Sequence, residues 1–388
     1  VLDKSSARLA ALVYFVQGAL GITGIALPLY LKNIGFSVPD IAFLISLSAF
    51  PWFLKIIYGA VSDSLPIFGM RRKPYIFLSS LISAAGWMIL SLKPTGFASL
   101  LAVLALINVG FAATDVITDG LIVEKSDKET AGKYQSLAWG FRSLGAIISG
   151  VLGGYLAKTF PYNQVFAIAA VLPLSTMIVC FFVHEHRVHT HEVPVWEPIF
   201  KSLKLFFTSK MLTFSMILVV GAFSASFNTP YFFYLKENIN LGEDTLGLLT
   251  SLGWFGAILG ALIFGKFLNR YNIYKLMIVG VLINLINIMA CLAVYNLTSA
   301  AIIFLVSGIL AYITFLPFLT MSAKLTHGTG VEGCMFAVLM SVHNLGTVLS
   351  GMVGGKIFAH IGLNMLIVGT GLLGLLAIPL ILRLKKLA

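Results

Sequence analysis

The chain has 388 residues, 59% of them hydrophobic and only 11% charged, which is too little polar surface for a soluble domain of this length. Its formal net charge of +11 would suggest nucleic acid in a soluble protein. Here the basic residues gather at the ends of apolar runs, so the charge reads as membrane topology and not as a nucleic-acid footprint.

The apolar runs recur along the whole sequence, and each reaches the roughly 20 residues that cross a bilayer as a helix. They lack the strict alternation of barrel strands. The predicted spans are 8–31, 39–62, 74–92, 97–124, 131–158, 163–183, 211–235, 243–268, 273–294, 297–323, 332–359 and 364–383. The first is long enough to stay as a span and not be removed as a signal. Lys4, Arg8, Arg71, Arg72, Lys73, Lys201, Lys204, Lys275, Arg383 and Lys385 are among the many cations that fall on one side. Only Lys32, Lys93, Lys158, Lys236 and Lys356 fall on the other. Both termini are therefore expected in the cytoplasm, in a cell (inner) membrane or a plastid envelope.

RSLGAIISGVLGG at 142–154 matches HNLGTVLSGMVGG at 343–355 with its glycines in register, and Tyr-Leu-Lys closes both the first and the seventh span. The fold class predicted is an all-α membrane protein: two pseudo-symmetric six-helix bundles, residues 1–183 and 211–388. Parallel six-span repeats with a site at their interface are a transporter design. Residues 184–210 form the expected cytoplasmic linker, with an amphipathic segment from about Trp196 to Phe207 along the membrane surface. Its His184, His186, His189 and His191 read as solvated linker residues and not as a metal site. Cys180, Cys291 and Cys334 show neither metal spacing nor a disulfide framework, and read as buried thiols.

In span four, ATDVITDGLIVE places Asp115 and Asp119 on one helical face. A charge at the bilayer centre costs about 2.5–3.5 kcal/mol, so such residues face a cavity or a partner. Counting nine residues in from Glu124 puts Asp115 roughly 13 Å deep. The same count from Lys133 brings Arg142 of span five to that depth. An Asp115–Arg142 bridge is one reading; a cavity-lining site for a polar or charged substrate is the other. Gln17, Lys55 and His343 reach the same level. Asp119, without a cation at its depth, is the candidate proton carrier, with Asp115 second. The aromatics available to a flat ligand are Tyr14, Phe227, Tyr231, Trp254, Tyr312 and Phe315.

Between spans two and three, Gly59, Asp63, Arg71 and Arg72 resemble the signature loop of the major facilitator superfamily. That resemblance implies a glycine for close helix approach and a charged cytoplasmic latch. The copy at GKFLNRYNIYK, 265–275, keeps the glycine and Arg270 but has Asn269 in place of an acid, so the first latch should dominate. Pro-Trp with Lys55, then Tyr-Gly, Ser62-Asp63, Pro66-Ile, Gly69, Arg71-Arg72 and Pro74-Tyr75, together with Asp115-Val-x-x-Asp119, is similar to the folate–biopterin transporter family. The likeness is strongest over about 50–155. It implies a monomeric secondary transporter for a folate or pterin anion, coupled to protons, working by alternating access, with Gln17, Lys55, Asp115, Arg142, Trp254, Tyr312 and His343 at the substrate. A transporter of the same fold for a muropeptide, nucleoside-like cofactor or sugar, and a non-transporting assembly factor, are the alternatives. With no nucleophile elbow, metal cluster or nucleotide loop, neither an enzyme nor a bound cofactor is expected.

Overall fold

The computed structural model describes all residues except 1–3, 126–130, 184, 186–195, 269 and 388. The linker histidines and Asn269 lie outside the described residues. Among the described residues, eleven helical stretches are long and apolar enough to cross a membrane, from Ser5–Asn33 to Glu332–Leu387. The last holds 56 residues. At ~1.5 Å per residue it would run about 84 Å, nearly three times the ~30 Å hydrocarbon core. It breaks at Gly362, whose φ of 73° and ψ of 176° lie outside helical space. Spans eleven and twelve meet there, and the molecule is an all-helical protein of twelve crossings.

Two spans are interrupted where the site lies. Span one passes through a 3-10 turn at Leu20–Thr23. Span two, Val38–Ser64, passes through another at Phe50–Leu54, with Pro51 near its start, and resumes as a helix at Lys55. Pro51 removes a backbone donor, and the tighter turn re-aims the side chains that follow.

The chain separates into two compact units, Val1–Tyr30 with Ser48–Ile199 and Leu31–Leu47 with Phe200–Ala388. A sequence division at 183/211 leaves Leu31–Leu47 in the first bundle, whereas the contacts group it with the second. The reason is local: a Cβ on Gly351 would meet Ser46, one on Gly355 would meet Ala42 and Pro39, and Lys356 lies over the Phe43 ring.

In the first unit, spans one, three, four and six share a core of Leu9, Val13, Ile76, Ile117, Leu121 and Cys180. Cys291 and Cys334 are only half-buried, and none of the three cysteines is in a disulfide. In the second unit, Met211, Phe214, Met277, Met321, Leu339 and Ile381 do the same for its helices. The glycine repeat has a steric meaning. A Cβ at Gly145 would strike the Phe15 carbonyl of span one, and one at Gly153 the Ile22 carbonyl. Their repeat mates behave alike: Gly346 rests on Val219 and Ala222, and Gly354 on the Ser226 carbonyl, of span seven. Spans one and five, and spans seven and eleven, pack backbone to backbone, as small residues allow in lipid.

Trp196–Phe206 is a helix. Leu205 and Phe206 pack against the second unit's core while Phe200 and Phe207 stay exposed. That division suits a helix at the membrane surface.

Candidate substrate-binding and coupling site

Span four is one helix, Phe97–Lys125, so Asp115 and Asp119 project one turn apart. Asp115 is only 4% exposed, yet both its oxygens have donors. Gln17 Nε2 of span one donates to Oδ1 at 2.5 Å, and Lys55 Nζ forms an ion pair with Oδ2. The Lys55 ammonium lies 4.7 Å from the Trp52 ring centroid. Trp52 is held in turn by Nε1 donating to Asn108 Oδ1 at 2.7 Å, about two turns before Asp115 on the same helix face. The 3-10 turn before Lys55 thus sets an aromatic brace and a cation against one carboxylate.

Asp119 accepts from the Tyr14 hydroxyl. Tyr14 and Gln17 are three apart on span one, and Asp119 and Asp115 four apart on span four, so one helix face reads both carboxylates. Among the described residues no cation pairs with Asp119.

Arg142 does not take Asp115. The two carboxylate oxygens are occupied, and the guanidinium folds back over the Trp139 ring, 5.1 Å from its centroid. Its own backbone carbonyl is the group that faces Gly18 of span one. The Asp115–Arg142 bridge read from depth alone is therefore replaced by Asp115–Lys55. Arg142 is left half-buried with no carboxylate partner among the described residues.

In the second unit the expected aromatics form two ring pairs. Trp254 and Tyr312 meet edge to face with centroids 6.4 Å apart, and Phe315 and His343 are tilted at 5.5 Å. Tyr312 and Phe315 lie three apart on the helix Leu297–Thr326, so the pairs share a face. His343 Nδ1 is buried without a hydrogen-bond partner among the described residues. Phe227 and Tyr231 pack on each other in the core, with the Tyr231 hydroxyl donating to the Cys291 carbonyl. A separate cavity of about 520 Å³ in this unit, lined by Phe233, Tyr234, Glu237 and Asn364 among others, contains none of the expected site residues.

The loop after span two carries an ion pair between Arg72 and Asp63, 2.5 Å apart, and Arg72 Nη1 also donates to Ser62 at 2.9 Å. The guanidinium is seated on Gly120, the residue after Asp119. A Cβ there would lie 2.7 Å from its Cζ and Nη1. Gly59 is less demanding, since a Cβ would meet only Val116 at an ordinary 3.5 Å. Arg71 contributes its backbone. The N–H groups of Arg71, Arg72 and Lys73 donate to the Glu185 carboxylate at 2.7, 2.8 and 2.7 Å. Lys73 Nζ returns the contact, donating to the Phe181 carbonyl at 2.7 Å. A carboxylate at a helix N-terminus and an ammonium at a helix C-terminus both oppose the local dipole. In the second copy, Lys266 and Arg270 lie over Phe267 and Tyr271, with no ion pair among the described residues.

The BT1 family model matches residues 17–386, most of the chain. The chain belongs to the BT1 family. A folate-biopterin transporter from Synechocystis sp. is 30% identical, covering 95% of this chain and 79% of that one. A probable folate-biopterin transporter 4 from Arabidopsis thaliana is 24% identical over 92% of this chain and 89% of its own. Among solved structures, the nucleoside transporter NupG (D323A mutant) superposes with a TM-score of 0.78 at 15% identity, covering 98% and 99% of the two chains. The human organic anion transporter MFSD10 gives 0.70 at 14%, over 97% and 99%. The fold is that of the major facilitator superfamily. This BT1 protein is an integral, multi-pass membrane transporter and not an enzyme.

Within this BT1 protein, the structure brings together Gln17, Lys55 and Asp115, then Tyr14 and Asp119, then Asp63 and Arg72. Sequence reasoning named Trp52 only as part of the Pro-Trp motif and missed Asn108, Trp139, Gly120 and Glu185. Trp52 and Trp139 sit three residues before Lys55 and Arg142, a spacing at which an aromatic supports a helical cation. Gly120→Ala should push Arg72 off its seat. We expect transport to slow about tenfold, and the same for Asp63→Ala, with substrate affinity within twofold of the parent, because each tenfold is ~1.4 kcal/mol and one displaced, partly exposed ion pair supplies about that. Uptake rates in liposomes against equilibrium binding check the split, and unchanged turnover would count against a latch at Arg72.

Proposed function

We propose that this transporter carries a folate- or pterin-type organic anion by alternating access, together with protons. The observation that carries the reading is the buried Lys55–Asp115–Gln17 cluster at the break in span two. A half-helix, Lys55–Ser64, begins there with its positive end and an ammonium at the same point. Folates and pterins carry an aminopyrimidinone ring whose amine and ring N–H pair with a carboxylate, the role assigned to Asp115. Folate's glutamate tail needs cations, and Arg142, with no carboxylate partner among the described residues, has the planar fork for it. Trp254, Tyr312 and His343 are assigned to the flat ring by their chemistry. The Arabidopsis and Synechocystis relatives bear folate–biopterin names, which supports this substrate class.

Asp119 is assigned the proton. It is half-buried against Tyr14 with no ion-pair partner among the described residues, one turn from a second carboxylate, and charge is costly at that place. The protein is read as a monomer with cytoplasmic termini. One screen tests the substrate: thermal shift and equilibrium binding of pterins, folates, nucleosides and unrelated anions to the purified protein. Stabilisation by pterins and folates, followed by their uptake into liposomes, is expected. Binding confined to nucleosides would replace the substrate class, and binding without uptake would replace the transport reading.

A further inference from the structure

Behind the carboxylate cluster, spans one, three, four and six enclose a small cavity of about 10 Å³, bordered by Gln17, Ser80 and Thr176 and closed by Val13, Phe111 and Pro173. The neighbouring hydroxyls are engaged. Ser79 and Thr114 bond each other at 2.7 Å, and Ser83 donates to the Ile107 carbonyl at 3.1 Å. Three polar atoms at this cavity have no protein partner: Gln17 Oε1, Ser80 Oγ and Thr176 Oγ1. Their residues are 7%, 2% and 1% exposed, so bulk solvent does not reach them.

We infer that this cavity is the site of one buried water that bridges Gln17, Ser80 and Thr176, and that Ser80 and Thr176 are positioning residues for Asp115, acting through Gln17. A hole of roughly 10–15 Å³ with two to four polar partners is what one buried water requires. The water donates to Gln17 Oε1 and accepts from the two hydroxyls. The amide is thereby held in one sense. Oε1 faces the water and Nε2 faces the carboxylate, as the 2.5 Å bond to Asp115 demands. Without the bridge the amide is free to flip, and a flipped amide would turn its oxygen on the Asp115 carboxylate.

The hydration is independent of which substrate is carried; only the affinity readout rests on the proposed function. A high-resolution map of the parent protein should show density within hydrogen-bond reach of all three atoms. Thr176→Val, which keeps shape and removes the hydroxyl, combined with Ser80→Ala, should lower substrate affinity about tenfold, a change of ~1.4 kcal/mol. The maximal rate should stay within twofold, because Asp119 and the Asp63–Arg72 pair are untouched. Thr176→Ser should restore the parent affinity. A hydroxyl that merely packs the bundle would change the unfolding temperature in both variants and leave the affinity split unmoved. A map without that density, or a folded double variant with parent affinity, overturns the inference. If the double variant does not fold, Thr176→Val alone and the parent map decide it. A parent protein that holds the water but binds no pterin or folate removes the substrate reading and leaves the hydration site standing.

Discussion

Lys55→Met is expected to abolish transport and to destabilise the protein by about 3–5 kcal/mol, the cost of leaving a buried charge without its partner. Asp115 has 5% side-chain exposure and Lys55 18%, so water does not replace the lost ammonium. Asp115→Asn should lose transport to a similar degree, because an amide cannot balance Lys55 and offers a donor where one of the two carboxylate oxygens accepts. The informative variant is the pair Lys55→Met with Asp115→Leu. Removing both charges together deletes the desolvation penalty along with the attraction, and such replacements are often neutral or stabilising. The double variant should therefore regain much of the unfolding temperature lost by Lys55→Met while uptake stays below about one hundredth of the parent, an activation loss beyond ~2.7 kcal/mol. Thermal unfolding and liposome uptake on the same preparations check both halves. Restored uptake in the double variant would mean that the ion pair only fastens span two to span four.

The architecture was legible because its causes are one-dimensional. Span length follows from bilayer thickness, and the repeat follows from glycines 201 residues apart, Gly145 with Gly346 and Gly153 with Gly354, which press in the same way on spans one and seven respectively. Depth was legible too: counting inward from Glu124 placed Asp115 among polar residues at one level. Azimuth was not. Arg142 and Lys55 share that level, and residue counting cannot say which of them points at Asp115. The 3-10 turn at Phe50–Leu54 decides it by re-aiming Lys55, while Trp139 draws Arg142 away. The latch shows a second limit. Asp63 and Arg72 announce themselves by charge, but Glu185 is bound through backbone N–H groups, which carry no sequence signature. Gly120 looked like one more small residue of span four until a guanidinium was found resting on it. The same holds for Leu31–Leu47, whose grouping with the second unit depends on Gly351 and Gly355, far along the chain.

Asp119→Asn should uncouple transport from the proton gradient without removing the binding site. Asparagine keeps the size of the side chain and still accepts the Tyr14 hydroxyl's hydrogen bond through its carbonyl oxygen, so the junction of spans one and four survives. What it loses is a site that exists with and without a proton. If Asp119 carries the proton as proposed, an acid exterior would load it from outside and a neutral interior would unload it, so uptake should rise as the outside is acidified. In the variant that stimulation should vanish, while exchange of labelled for unlabelled substrate at equal pH on both sides continues within a few-fold of the parent rate. Tyr14→Phe separates the carboxylate from its donor. It should retain the acid stimulation, because the carboxylate proposed to take the proton is untouched. Full acid-driven uptake in Asp119→Asn would return the proton to Asp115, the second carboxylate one turn away, and loss of the stimulation in Tyr14→Phe would make the hydroxyl part of the coupling step.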